Sequence, residues 1–249
     1  MKYIEIFVKN ALTKSGLENT DYSLNPYKGC EHQCVYCYAP YVTHISLDEW
    51  RNVVYVKRNL PTVLDKELKK KKGFVTLGSV TDVYQPSEKK YEITRRCLEI
   101  LLKHRVPISI LTKSSLVLRD LDLLSRFSEA HVGITLTTLD DSLRKKVEAN
   151  SSSVDERLEV LQESEGKAIR YIFVGPILPG ITTPYLQDIV KEAERMNLDY
   201  IIFDRFRWKK NMLLPYELEE RIKGMDYEKI KRELMRISKQ TSIPVYLDW

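Results

Sequence analysis

From residue 73 onward, apolar runs of strand length alternate with amphipathic stretches of helix length, and few folds can absorb that pattern. GFVTLGSV (73–80) leads to EKKYEITRRCLEILLKH, and PISILTK (107–113) leads to LVLRDLDLLSRF. HVGITLTT (131–138) leads to VDERLEVLQES, KAIRYIFVG (167–175) to TPYLQDIVKEAERM, and LDYIIFDRF (198–206) to a polar helical region. The strand runs are continuously apolar, as expected where both faces of a parallel sheet are buried. Such repetition implies right-handed crossovers and either a barrel or a doubly wound sheet. With YSLNPYKGC (22–30) as a first strand, six units result, fewer than the eight of a closed barrel. The expected fold is therefore α/β, a partial (β/α)6 TIM-type barrel open on one side. SIPVYLDW, the last eight residues, is a candidate for one further strand. Residues 1–21 read as an N-terminal extension, 22–206 as the barrel core, and 207–249 as a helical segment closing the open side.

With 249 residues, 43% hydrophobic and 30% charged, the chain can bury one substantial core. No run of 18 apolar residues occurs, and YIEIFVKNALTKSG after Met1 lacks the apolar stretch and cleavage site of a signal peptide. A cytoplasmic protein with no membrane partner is expected. The net charge of +5 permits a polyanionic partner without demanding one.

Each strand run ends in a polar or glycine-containing group: GSVTD (78–82), TKSS (112–115), TLTTLD (135–140), GPILPG (175–180) and DRFRW (204–208). Loops at the carboxyl ends of parallel strands build active sites in barrels and open sheets alike. NPYKGCEHQCVYCYAP (25–40) follows the first strand and belongs at the same mouth. It carries Cys30, Cys34 and Cys37, three of the four cysteines. In a reducing compartment such clustered thiols read as metal ligands or redox groups. A structural zinc wants four protein ligands, and His32 is awkwardly placed between two of the cysteines to be the fourth. An iron–sulfur cubane is normally held by four cysteines, so three leave one iron open for chemistry. A non-catalytic binding protein with a structural zinc in this loop is the alternative reading.

The C-x3-C-x2-C spacing, with Tyr36 before the last cysteine, resembles the radical S-adenosylmethionine (SAM) superfamily. GSVTDVYQPSE, ILTKSSLVLRDLDLL, ITLTTLD, DERLEVL and GPILPGI extend the resemblance, in consistent order from about residue 22 to about 182, to its spore photoproduct lyase-like branch. The resemblance implies an enzyme with a [4Fe-4S] cluster on Cys30, Cys34 and Cys37 and with SAM chelating the open iron. One electron then cleaves SAM to a 5′-deoxyadenosyl radical that abstracts a substrate hydrogen. The resemblance places Gly78, Ser79 and Thr81 beside the SAM amino group, and Lys113, Thr135 and Arg157 toward its carboxylate. Tyr36 falls near the adenine, and Gly175 and Pro176 near the adenosyl group. It further implies a ferredoxin- or flavodoxin-like electron donor and a substrate among nucleic acids, nucleotides and peptides, the branch favouring the first. Lyases of the branch return a hydrogen atom from a cysteine near the end of the second strand. GSVTD contains none, so the resemblance covers the radical chemistry and not that return step.

Other residues have plainer readings. Cys97 lies at helical spacing among apolar residues and reads as core. His44, His104 and His131 read as packing or surface groups. Asp82 is either a turn cap or a cofactor contact, and Tyr38 and Tyr41 either pack under the cysteine loop or face the site. The KKKK run (69–72) reads as a solvated helix end. DRFRWKK (204–210) combines cations with Trp208, a pairing suited to a phosphate backbone and an unstacked base, or to a cover over the barrel.

Overall fold

The computed structural model describes all 249 residues. Its strands, in chain order, are β1 (Lys2–Ile6), β2 (Leu12–Lys14), β3 (Tyr22–Leu24), β4 (Tyr27–Lys28), β5 (Val53–Lys57), β6 (Val75–Leu77), β7 (Ile108–Thr112), β8 (Ala130–Thr135), β9 (Ile169–Ile177), β10 (Tyr200–Arg205) and β11 (Val245–Asp248). Eight of them form one sheet in the order β11-β10-β9-β8-β7-β6-β3-β2, whose two ends do not pair with each other. The partial barrel is thus open. β3 and β6 to β11 run parallel, and β2 adds an antiparallel edge.

The parallel set has seven strands rather than six, because the last eight residues supply β11 beside β10. Residues 1–21 contribute β1 and β2. β1 pairs with β5, and β5 with β4, in a second sheet of three strands. The run 22–30 is accordingly divided: β3 enters the large sheet and β4 the small one.

Strand periodicity sorts the side chains of the large sheet into two sets. Val75, Leu77, Ile108, Ile110, Val132, Ile134, Ile172, Val174, Ile201 and Phe203 face the surrounding helices and are fully buried. The helices answer with apolar stripes. Ile93, Cys97, Leu98 and Leu101 are buried on the helix Ile93–Lys103, and Leu186, Ile189, Val190 and Ala193 on Leu186–Arg195. Cys97 is therefore core, as its spacing implies. The helix Val154–Glu163 opens with a reciprocal Ser153–Glu156 capping box, a device of about 1 kcal/mol that fixes where the chain turns back.

The other set points into the barrel. Toward the amino ends of the strands it is aromatic. Tyr171 and Tyr200 stack with ring centroids 4.7 Å apart, and His131 donates to or accepts from Tyr200 Oη at 2.9 Å. Gly133 makes room for this floor, since a Cβ there would stand 2.0 Å from the Tyr171 ring. Toward the carboxyl ends the inward set turns polar or small, with Lys113, Thr135, Gly175 and Asp204. Gly133→Ala is expected to destabilise the protein by about 1–3 kcal/mol, as overpacking does. In a Tyr171→Leu background the same change should cost much less. Denaturant unfolding of the four proteins checks this, and equal costs in both backgrounds would clear the ring of blame.

Candidate active site

The cysteine loop is held from both sides. Gly29 sits at φ +92°, and a Cβ there would meet the Val53 carbonyl oxygen at 2.3 Å, so only glycine fits. The Gly29 carbonyl accepts from Thr81 Oγ1 at 2.7 Å and from Gln85 Nε2 at 3.2 Å, and Gln85 Oε1 accepts from Glu31 N at 3.0 Å. The Glu31 carboxylate accepts from Ser87 N and from Tyr3 Oη, both at 2.7 Å. On the far side, Val35 N donates to the Val147 carbonyl at 2.9 Å and Asn150 Nδ2 to the Glu31 carbonyl at 2.9 Å. The three cysteines are thereby turned toward one cavity of about 620 Å³.

Tyr36, Gly78, Ser79, Thr81, Lys113, Thr135, Gly175 and Pro176 line the same cavity. Arg157, the remaining residue singled out from sequence, does not. It is fully buried behind the wall, where it pairs with Glu148 and donates to the Thr135 carbonyl at 2.8 Å and the Ser152 carbonyl at 3.0 Å. Its donors are committed to the protein, which corrects the expectation that it reaches toward a bound carboxylate. Trp50, Phe173, Asp204 and Asp248 also line the cavity. Strand-end position signals Asp204 and Asp248. Nothing local in the sequence signals Trp50.

Burial pushes all three clustered thiols up, Cys30 to about 12 with Asp82 and Cys37 adding to the rise. A bound metal is what would hold them as thiolates. His32 is not free to join them: Nδ1 lies 3.0 Å from the Asn150 carbonyl and Nε2 lies 3.1 Å from Asp82 Oδ2. No group of three or more His, Cys, Asp or Glu side chains is arranged to hold a single metal ion. Zinc draws its sulfur ligands to about 3.8 Å from one another at Zn–S distances of about 2.3 Å. A cubane takes each thiolate on a different iron and wants them farther apart. Three soft donors with no fourth protein ligand fit the cubane better than a closed zinc site.

Among the cations that line the cavity, Lys113, Arg205, Arg207 and Lys209, Lys113 stands at the end of β7 beside Thr135. Its ammonium donates to Thr135 Oγ1 at 3.3 Å and lies 5.9 Å from the centre of the Tyr36 ring, but pairs with no carboxylate. Burial pulls its pKa down, and the nearby Cys34, Glu148 and Asp82 outweigh that and raise it. Asp82 caps its own turn and also lines the cavity. Its carboxylate accepts from Tyr84 N at 2.9 Å, Thr112 Oγ1 at 2.7 Å and Lys113 N at 2.8 Å. Burial works against its charge, but His32 and these donors hold it below the usual carboxylate range.

Residues 24–193 match the model of the radical SAM superfamily. The chain belongs to that superfamily. It is a radical SAM enzyme, and membership implies SAM and a [4Fe-4S] cluster as cofactors. An uncharacterised protein of Methanocaldococcus jannaschii is 36% identical over 183 residues, 73% of this chain and 70% of the relative. One of Mycobacterium tuberculosis is 32% identical over 193 residues, 72% of this chain but only 56% of that protein. A spore photoproduct lyase variant with bound SAM and dinucleoside spore photoproduct superposes with a TM-score of 0.72 at 13% identity, covering 99% of this chain and 82% of that one. That likeness shows the shared partial-barrel fold. No helix of the radical SAM chain is long and apolar enough to cross a membrane.

The mouth of the radical SAM barrel is partly covered. Tyr38 donates to the Ser79 carbonyl, Tyr41 Oη accepts from Leu213 N at 2.9 Å, and Lys209 Nζ lies 5.7 Å from the centre of the Tyr38 ring. Phe206, Met212, Leu218 and Ile222 pack with Tyr36, so residues 206–222 reach the cysteine loop. Trp208 lies edge-on to Phe206 and stays exposed. Arg207 clasps Asp204 and Asp248 together, joining the ends of β10 and β11. Burial pushes the Asp204 carboxyl up to about 6, with Arg207 pulling against the rise and Asp248 adding to it. The folded state thus binds this proton more tightly than the unfolded chain does. Wild type should gain stability relative to Asp204→Asn as pH falls from 6 toward 4, and the difference between the two should be constant above about 6. Unfolding midpoints across that range check this. Parallel curves for the two proteins would return Asp204 to the ordinary carboxylate range.

Proposed function

We propose that Cys30, Cys34 and Cys37 hold a [4Fe-4S] cluster at which this enzyme cleaves SAM reductively, and that its substrate is a nucleic acid. One observation carries the first part: three thiols, that of Cys30 buried and those of Cys34 and Cys37 half-buried, and an ammonium with no carboxylate partner face one cavity. When bound, the cluster supplies the electron that converts SAM to methionine and a 5′-deoxyadenosyl radical able to take a hydrogen atom from the substrate.

The chain's own residues bind and orient. Lys113, with Thr135 beside it, offers a cation and a hydroxyl to the SAM carboxylate. Backbone groups of Gly78, Ser79 and Thr81 offer acceptors to its ammonium, with Tyr38 already bonded to the Ser79 carbonyl. Tyr36 presents an aromatic wall to the adenine. At Gly175, where a Cβ would strike the Phe173 ring at 2.3 Å, and at Pro176, the backbone itself lines the adenosyl side. Residues 206–222 shield the site from water.

Support for a nucleic acid comes from the mouth, where Lys209 and Lys210 follow directly on exposed Trp208. It also comes from the fold shared with a lyase bound to a dinucleoside photoproduct. A flipped or single-stranded base brings a carbon into such a cavity. The reducing electron comes from a low-potential carrier of the ferredoxin or flavodoxin class.

Low-temperature electron paramagnetic resonance on anaerobically reconstituted, dithionite-reduced protein tests the reading: a [4Fe-4S] signal should appear and shift on adding SAM. A silent sample with stoichiometric zinc would overturn it in favour of a structural site. Cys34→Ala should lose cluster assembly and SAM cleavage together. Lys113→Ala should keep the cluster and bind SAM more weakly by about 1.5–3 kcal/mol, the scale of a charge-assisted hydrogen bond. Titration calorimetry measures the loss, and an unchanged affinity would move the carboxylate elsewhere.

A further inference from the structure

Glu148 does not line the cavity, is fully buried, and yet is joined to residues on two sides of it. It closes the helix Asp141–Val147 as its C-terminal cap residue. Oε1 accepts from Tyr36 Oη and, at 3.1 Å, from Thr137 Oγ1. Oε2 lies 2.5 Å from Arg157 Nη2. Arg157 in turn holds the Thr135 carbonyl at 2.8 Å and the Ser152 carbonyl at 3.0 Å, while Ser152 N donates to the Lys113 carbonyl at 3.0 Å.

We infer that Glu148 is a positioning residue for the SAM-dependent reaction: its buried carboxylate fixes the Tyr36 ring and, through Arg157 and Ser152, the backbone that carries Lys113. The inference rests on reading the cavity as the SAM site. A buried ion pair is a poor way to gain stability, because well-packed apolar residues of the same volume serve as well or better. What an ionic hub provides here is direction. Each arm ends on a residue that lines the cavity or on the segment that carries one. The pairing fits the same role. Glu148 contacts Arg157 and acts on Lys113 only through space, so the Lys113 ammonium stays available to an anionic end of the ligand.

Three variants test this in the reconstituted protein. Glu148→Gln removes the charge and keeps the shape. The double variant Glu148→Leu with Arg157→Met removes both charges and leaves neither unpaired. Tyr36→Phe cuts one arm and keeps the ion pair. Each should assemble a full complement of iron. SAM affinity by titration calorimetry should fall at least tenfold in the first two and severalfold in the third, with a diminished SAM-induced shift of the reduced cluster signal. If Glu148→Gln fails to fold, the double variant carries the test, and if that fails too, Tyr36→Phe does. Wild-type SAM affinity in any folded, iron-replete variant of Glu148 would overturn the positioning role. Unchanged affinity in Tyr36→Phe would overturn the Tyr36 arm. Failure of the wild type itself to bind SAM would instead overturn the proposed function. The crystal structure of the double variant would then decide for Glu148, a Tyr36 ring and Lys113 in unmoved positions refuting the role.

Discussion

The structure depends on the alternation of side chains along parallel strands that are buried on both faces. One set of positions, from Val75 through Ile110 and Val132 to Phe203, packs the helices with aliphatic and aromatic groups. The other set faces inward and is free to vary along the strand. It is aromatic at the floor with Tyr171 and Tyr200, and polar or small at the mouth with Lys113, Thr135, Gly175 and Asp204. Because the two sets share no positions, chemistry at the mouth costs the outer core little. The same separation steadies the site, since Thr135, Gly175 and Asp204 sit on strands whose other face is packed and Lys113 follows directly on β7.

Charge at the site is balanced in layers. Asp82 accepts from Tyr84 N in its own turn, from the Thr112 hydroxyl and from Lys113 N, so it shapes the strand end. Glu148 is spent on Arg157, Tyr36 and Thr137. That leaves Lys113 without a partner of opposite sign, in a setting where an unpaired charge is expensive. Glu148, Cys34 and Asp82 hold it protonated through the field they create rather than through contact. A ligand with an anionic end relieves the imbalance.

The barrel, the cysteine loop and most of the cavity wall were legible in the sequence because they are written locally. Apolar runs of strand length mark the sheet, three thiols within eight residues mark the loop, and polar strand ends mark the mouth. The small sheet was not legible. β4 is the two-residue strand Tyr27–Lys28, and β1 and β5 are short, partly exposed strands whose pairing spans some fifty residues. Glu148 and Trp50 were missed for a related reason. Tyr36 and Glu148 meet across a separation of 112 residues, which no local pattern announces. Arg157 shows the converse error. Its helical position is the same whether the guanidinium faces the cavity or the core, and Glu148 decides the matter from outside the motif.

The open edge of the sheet has a geometric consequence. Leu17, in the turn after β2, and Asp248, in β11, both line the cavity, so it reaches the gap between the two unpaired ends of the sheet. A closed barrel receives ligands only through its mouth, so a long polymer would have to present a free end or a tight loop. A slot between two strand edges receives a chain broadside. For the nucleic acid proposed as substrate, one unit would swing inward to the cysteine loop while the units on either side remain in solvent, with no threading of the polymer.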